Sequence, residues 1–124
     1  MNKAIISENA PAAVGPYVHA VEANGMLFCS GQLGIDPKTG EFPEGIEAQT
    51  RQSLTNLGEV LKTAGYDFSN VVKTLIFIDN IDDFGKMNDV YSEFFSEDKP
   101  ARSCVEVAKI PKGALVEIEC IAIK

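Results

Sequence analysis

The chain contains no tryptophan, one histidine and three cysteines, an odd number with no CxxC spacing among them. A lone imidazole, His19, with cysteines at such spacing cannot assemble the four-ligand shell of a structural zinc. Cys29, Cys104 and Cys120 each lie in an apolar, strand-like run, and so read as buried reduced thiols rather than a disulfide framework. No apolar run approaches the roughly 18 residues of a membrane span, and residues 1–8 carry no hydrophobic core of a secretory leader. A cytoplasmic protein without a membrane partner is expected. Basic clusters are missing too: Lys and Arg are scattered singly from Lys3 to Lys124, 11 against 18 acidic residues, for a net charge of −7. Phosphate backbones are held by clustered Lys and Arg, so the charge pattern speaks against a nucleic-acid partner. Repeats and low-complexity tracts are also absent.

What is present fits one domain spanning 1–124, with 45% apolar and 23% charged residues. Residues 3–6 are a short strand candidate, and Pro11, Gly15 and Pro16 punctuate a loop over 10–16. Residues 17–22 read as a strand, Asn24-Gly25 as a two-residue hairpin turn and 26–30 as its partner, which Gly31 closes. Over 45–64 the period changes: Ile46, Thr50, Leu54, Leu57, Leu61 and Ala64 form a stripe, with Glu47, Arg51, Asn56, Glu59 and Lys62 opposite. Gly65 stands where a helix stops. The apolar run 71–78 reads as a buried central strand. Asp82 or Asp83 then caps a second helix, with Phe84, Met87, Tyr91 and Phe94 or Phe95 on one face. Strands over 101–107 and 115–123 follow, joined by a turn at 110–113. Two helices can cover one face of a sheet, yet the runs 71–78 and 115–123 are apolar on both faces. The second face needs cover, which another subunit is expected to supply.

The last two strands also carry charge. In Pro100-Ala101-Arg102-Ser103-Cys104-Val105-Glu106-Val107 an arginine opens a strand, and in Val116-Glu117-Ile118-Glu119 two glutamates alternate with β-branched residues. A buried charge must be paired or solvated. The planar fork of Arg102 suits a carboxylate, either that of a small anionic ligand or that of Glu117 or Glu119. The glutamates in turn supply either a base or a structural counter-ion.

These segments, together with Asn9-Ala10-Pro11-Ala12-Ala13-Val14-Gly15-Pro16-Tyr17, Cys29-Ser30-Gly31-Gln32, Gln49-Thr50-Arg51-Gln52 and Asn88-Asp89-Val90-Tyr91, resemble the reactive intermediate deaminase family, also called the RidA or YjgF family, over nearly the whole chain. The resemblance implies an α+β fold: a mixed sheet with two helices on one face, like chorismate mutase of bacilli, assembled as a homotrimer with clefts between subunits. It implies hydrolysis of 2-enamine and 2-imine acids such as 2-aminoacrylate and 2-aminocrotonate to 2-keto acids and ammonia, with no cofactor and no metal. Many members have a proline where this chain has Gly34, a departure expected to loosen the loop 34–40.

Carried over position by position, the resemblance makes Arg102 the substrate-carboxylate anchor and Glu117 the group that orients or activates water. It makes Tyr17 a cleft wall, Ser30 and Gly31 the strand-end pair near the substrate, and Asn88 a polar contact from the second helix. Cys104 also matches, in a backbone role, since no histidine is linked to it as a base. Each has a plainer reading: an Arg102–Glu117 ion pair, a surface tyrosine, a serine that caps a strand, an ordinary helix asparagine. Two further functions compete with deamination. One is a trimer that binds a small carboxylate and signals without turnover. The other is an endoribonuclease or translation inhibitor, a role attached to some relatives and opposed here by the acidic balance.

Overall fold

A computed structural model describes residues 2–124. Six strands form one sheet in the order β1-β2-β3-β6-β4-β5: β1 (Lys3–Ile5), β2 (Ala20–Ala23), β3 (Met26–Leu33), β4 (Val71–Ile78), β5 (Ala101–Glu106) and β6 (Val116–Ile123). All neighbours are antiparallel except β4 and β5, which run parallel. A parallel pair needs a crossover, and α2 (Phe84–Phe94) supplies it. The other helix, α1 (Ile46–Thr63), lies beside it on the same face. The fold is α+β, with two helices on one face of a mixed sheet.

The hairpin forms where its sequence places it. Asn24 and Gly25 both take positive φ, 52° and 76°, the backbone of a turn whose twist matches the strands it joins. The stop of α1 is a Schellman motif: Gly65 sits at φ 85° and donates to Lys62 O, while Tyr66 N–H reaches back to Leu61 O. Leu54, Leu57, Val60 and Leu61 of α1 are fully buried against Leu27 of β3, Ile76 and Ile78 of β4, and Val116 and Ile118 of β6.

Four local expectations need correcting. First, β2 begins at Ala20 rather than residue 17. Tyr17 N–H turns back to Gly15 O, and His19 ties down the loop before it, accepting from Ser7 N–H at Nδ1 (2.9 Å) and donating from Nε2 to Pro11 O (2.7 Å). Second, Gly31 does not close β3; the strand continues to Leu33, with a bulge between Cys29 and Gln32. Third, Asp83 does occupy the N-cap of α2, but its side chain makes no capping hydrogen bond. Asn80 accepts from Asp82 N–H and starts a short 3-10 turn that leads into α2, and the aspartates sit inside that turn, where negative charge suits the helix dipole. Fourth, Asn56 is not on a solvated face. It is buried, and its amide donates to the carbonyls of Leu33 and Ile35.

Gly34 does the opposite of loosening its loop. A Cβ there would lie 2.3 Å from Gln49 O, so the glycine lets the chain dock against the backbone of α1. A turn with Gly40 N–H on Asp36 O and Asp36 N–H on Glu41 O completes the loop.

The sheet face away from the helices is not covered by a helix or second sheet among the described residues. Phe28 (43% exposed), Val105 (44%) and Ile123 (46%) lie on it, beside half-buried Leu75, Phe77 and Ile121. No helix among the described residues is long and apolar enough to cross a membrane.

Candidate active site

The predicted site residues fall into two groups on opposite faces of the sheet. In the ladder, Arg102 stands beside Thr74 of β4, and Glu117 stands beside Phe77 of the same strand. Thr74 and Phe77 differ by an odd number of positions, so the two charged side chains leave the sheet in opposite directions. Two strand spacings and a three-residue offset separate their backbones by about 14 Å. The Arg102–Glu117 ion pair therefore does not form within one chain. Among the described residues the only ion pair is Arg51–Glu93, at 2.8 Å on the surface.

The first group is built on β5 and α2. Arg102 Nη1 donates to Asn88 Oδ1 at 2.7 Å. The guanidinium lies over the ring of Tyr91, 4.8 Å from its centroid, and 5.3 Å from that of Phe84. Cys104 follows on the same face and packs at the edge of the core. Burial pushes its thiol up, against a smaller downward pull from Arg102, which makes it a poor nucleophile. Cys29 and Cys120 face each other across β3 and β6, both buried, and hydrogen bonding between them with burial holds the Cys120 thiol well up.

The second group lines a cavity of about 770 Å³ between the loop before β2, the bulged end of β3 and the start of β6. Tyr17, Ser30, Gly31 and Glu117 all border it. The β3 bulge makes this possible by re-aiming the residues between Cys29 and Gln32. Gly31 leaves room for the glutamate, since a Cβ there would meet the Glu117 carboxylate oxygen at 2.6 Å and its Cγ at 2.8 Å. With any larger residue at 31 the Glu117 side chain would have to swing away from its place across the strand. Ser30 Oγ donates to Val18 O (2.7 Å) and ties the Tyr17 segment to β3, leaving its oxygen free to accept. Tyr17 is half-exposed, and its hydroxyl accepts from Val14 N–H at 3.4 Å. Burial pushes the Glu117 carboxyl above the ordinary carboxylate range, and Glu119, two residues on along the same face, adds to the rise.

The sequence reading omitted Gln32, Phe84 and Tyr91 as site residues. Gln32 borders the cavity. Phe84, Asn88 and Tyr91 recur at helical spacing on the face that meets Arg102; of the three, only Asn88 is expected from the sequence as a site contact, Phe84 and Tyr91 being placed on the apolar helix face. Among the described residues no cluster of three or more metal-ligating side chains occurs.

An arginine fork held by Asn88 thus lies on one face of the sheet, and a half-buried carboxyl in an open cavity on the other. The chain belongs to the RidA/YjgF family: the family model described as Endoribonuclease L-PSP matches residues 7–124. It is 47% identical to the 2-iminobutanoate/2-iminopropanoate deaminase of Escherichia coli over 127 residues, all of this chain and 99% of that protein. The same figure holds for the deaminase of that name from Bos taurus, with all of this chain and 91% of the relative covered. Among solved structures, Escherichia coli TdcF with bound serine superposes with a TM-score of 0.95 at 42% identity, over 98% of each chain.

Proposed function

We propose that the chain is a 2-iminobutanoate/2-iminopropanoate deaminase, hydrolysing 2-imine and 2-enamine acids to 2-keto acids and ammonia without a cofactor. Relatives nearly half identical over the full chain carry that name. The observation that carries the chemistry is Glu117: a carboxyl biased toward its protonated form, in an open cavity and without an ion-pair partner among the described residues. Hydrolysis of an imine moves two protons from the attacking water to the departing nitrogen. Glu117 in its ionised form takes the proton as water adds to C2 of the imine. The protonated carboxyl gives that proton to the nitrogen, leaving a carbinolamine; the carboxylate then takes the carbinolamine hydroxyl proton and passes it to the amine, the C–N bond breaks as the carbonyl forms, and ammonia leaves. A raised carboxyl pKa suits a group that must hold and release a proton within one turnover.

Arg102 anchors the substrate carboxylate through the N–H groups not taken by Asn88, and the Cys104 backbone lies beside it. Since Arg102 and Glu117 leave the sheet on opposite faces, one chain cannot bring both to one substrate. The site is completed in a homotrimer, where Arg102 and Asn88 of one subunit meet Tyr17, Ser30, Gly31 and Glu117 of the next across the uncovered sheet face. TdcF binds serine, an amino acid with the same carboxylate. That favours a second reading, a carboxylate-holding trimer without turnover. Glu117 argues against it, because a nearby acid weakens carboxylate binding. An endoribonuclease, the word in the family description, sits poorly with a net charge of −7.

The test is release of ammonia and keto acid from enzymatically generated 2-aminoacrylate. Wild type accelerates release, and Arg102→Ala loses turnover at least 100-fold, of the order expected when a charge-assisted bidentate contact is removed, with the oligomer intact. Arg102→Lys is also poor, because a point charge cannot copy the fork. No acceleration by folded wild type, against this substrate or 2-aminocrotonate, would favour the binding trimer.

A further inference from the structure

Arginine on an edge strand is a long side chain with much rotamer freedom to lose when it grips a ligand. Arg102 stands on β5, the terminal strand of the sheet, yet three side chains of one helix hold it in place. Phe84, Asn88 and Tyr91 occupy positions i, i+4 and i+7 of α2 and so share one face. The two rings bear on the guanidinium, at 4.8 Å from the Tyr91 centroid and 5.3 Å from that of Phe84. Asn88 Oδ1 takes Nη1 at 2.7 Å and fixes rotation within the plane. The remaining N–H groups of Arg102 have no acceptor among the described residues, so a free edge of the fork stays open to a carboxylate.

The holder is itself held. The Tyr91 hydroxyl pairs with Thr74 Oγ1 at 2.7 Å in the core, and its ring packs on Phe95 with centroids 4.7 Å apart. Thr74 is also the residue beside Arg102 in the β4–β5 ladder. The ring that bears on the guanidinium is therefore tied to the strand next to the arginine, and the distance between them cannot drift independently. Phe84, by contrast, is 37% exposed and contributes little to the core.

We propose that Phe84 and Tyr91 are positioning residues for substrate binding: they act through Arg102, pre-setting its guanidinium and screening it from water so that its open edge meets the substrate carboxylate. This rests on the reading of Arg102 as the carboxylate anchor. A pre-set fork loses less entropy on binding, and the rings lower the local dielectric around the ion pair. The Asn88 amide, with its oxygen committed to Arg102, presents its N–H donors outward beside the same fork.

The experiment measures pyruvate binding by calorimetry, and KM and kcat for 2-aminoacrylate, in Phe84→Leu, Tyr91→Leu, Tyr91→Phe, Arg102→Ala and the double variant Phe84→Leu/Arg102→Ala. Phe84→Leu and Tyr91→Leu should each weaken pyruvate binding about tenfold, the size of a desolvated cation–π contact. They should raise KM by a similar factor while kcat stays within about threefold, the pattern of lost uniform binding. Tyr91→Phe, which keeps the ring, should bind within about threefold of wild type. In the Arg102→Ala background Phe84→Leu should have no further effect. Because Phe84 is partly exposed, its variants answer the question even where Tyr91→Leu fails to fold. Wild-type affinity in Phe84→Leu, or an undiminished effect of that change without Arg102, overturns the inference while leaving the anchor intact. Wild-type affinity in Arg102→Ala overturns the anchor reading itself.

Discussion

The proposed chemistry rests on Glu117, and the environment of this residue makes a signed prediction. Burial first, and Glu119 second, raise its carboxyl above the unfolded value near 4.5. In the window between the unfolded and folded pKa the native state binds more protons than the unfolded chain, so this group's contribution to stability falls as pH rises through that window. Glu117→Gln removes both the cost and its pH dependence. The variant should melt higher than wild type at pH 7, with the gap closing as pH falls toward 4, while turnover of 2-aminoacrylate is lost. Thermal scans of the two proteins across pH 4–8 check this. An equal gap at every pH would mean that Glu117 is not held above its ordinary range. Gly31 belongs to the same account: it is the residue that lets the carboxylate lie across β3. The place of Glu117 beside Tyr17, Ser30 and Gly31 at one cavity agrees with its match to a family motif. That it is free of Arg102 was not legible in the sequence, because an arginine and a glutamate on neighbouring segments suggest an ion pair, and only the ladder register sends them to opposite faces.

The helices and strands were mostly written in local pattern. The α1 stripe, its Gly65 stop, the Asn24-Gly25 turn and the apolar run of β4 all form as their residue types dictate, to within a residue or two. The misses have one physical source, which is that local pattern does not report tertiary partners. The bulge in β3 adds an unpaired residue that alternation alone cannot reveal, and Gly31 looked like a strand end for that reason. Asn56 looked like a solvent-facing residue, but it bonds the carbonyls of Leu33 and Ile35 from inside. The same helix also holds Thr50, whose hydroxyl is the one buried side-chain polar atom without a hydrogen-bond partner among the described residues. An unpaired buried hydroxyl costs about 1–3 kcal/mol. Thr50→Val, similar in shape and apolar, should stabilise the protein by about 1 kcal/mol, seen as a higher urea midpoint at fixed protein concentration with unchanged slope. A lower midpoint would mean that the hydroxyl is paired in solution.

At the scale of the whole molecule, the described residues leave one sheet face bare: Phe28, Val105 and Ile123 stand on it, around the half-buried Leu75, Phe77 and Ile121. Soluble monomers rarely expose so continuous an apolar surface. The sequence disclosed the need for cover through the two-sided runs at 71–78 and 115–123, while the trimer number comes from family resemblance alone. The bare face and the split between Arg102 and Glu117 bear on one proposal: the two groups lie on opposite sides of the sheet, and in the proposed site they meet across a subunit boundary. The most direct test mixes Arg102→Ala with Glu117→Gln protein, each inactive alone, under conditions that exchange subunits. A site shared between neighbours is restored wherever an intact Arg102 from one variant faces an intact Glu117 from the other. For equal amounts with random exchange, about a quarter of sites are restored. Ammonia release should rise from background to about that fraction of wild type. Hybrid oligomers confirmed by native mass spectrometry that remain as inactive as either parent would contradict the shared site.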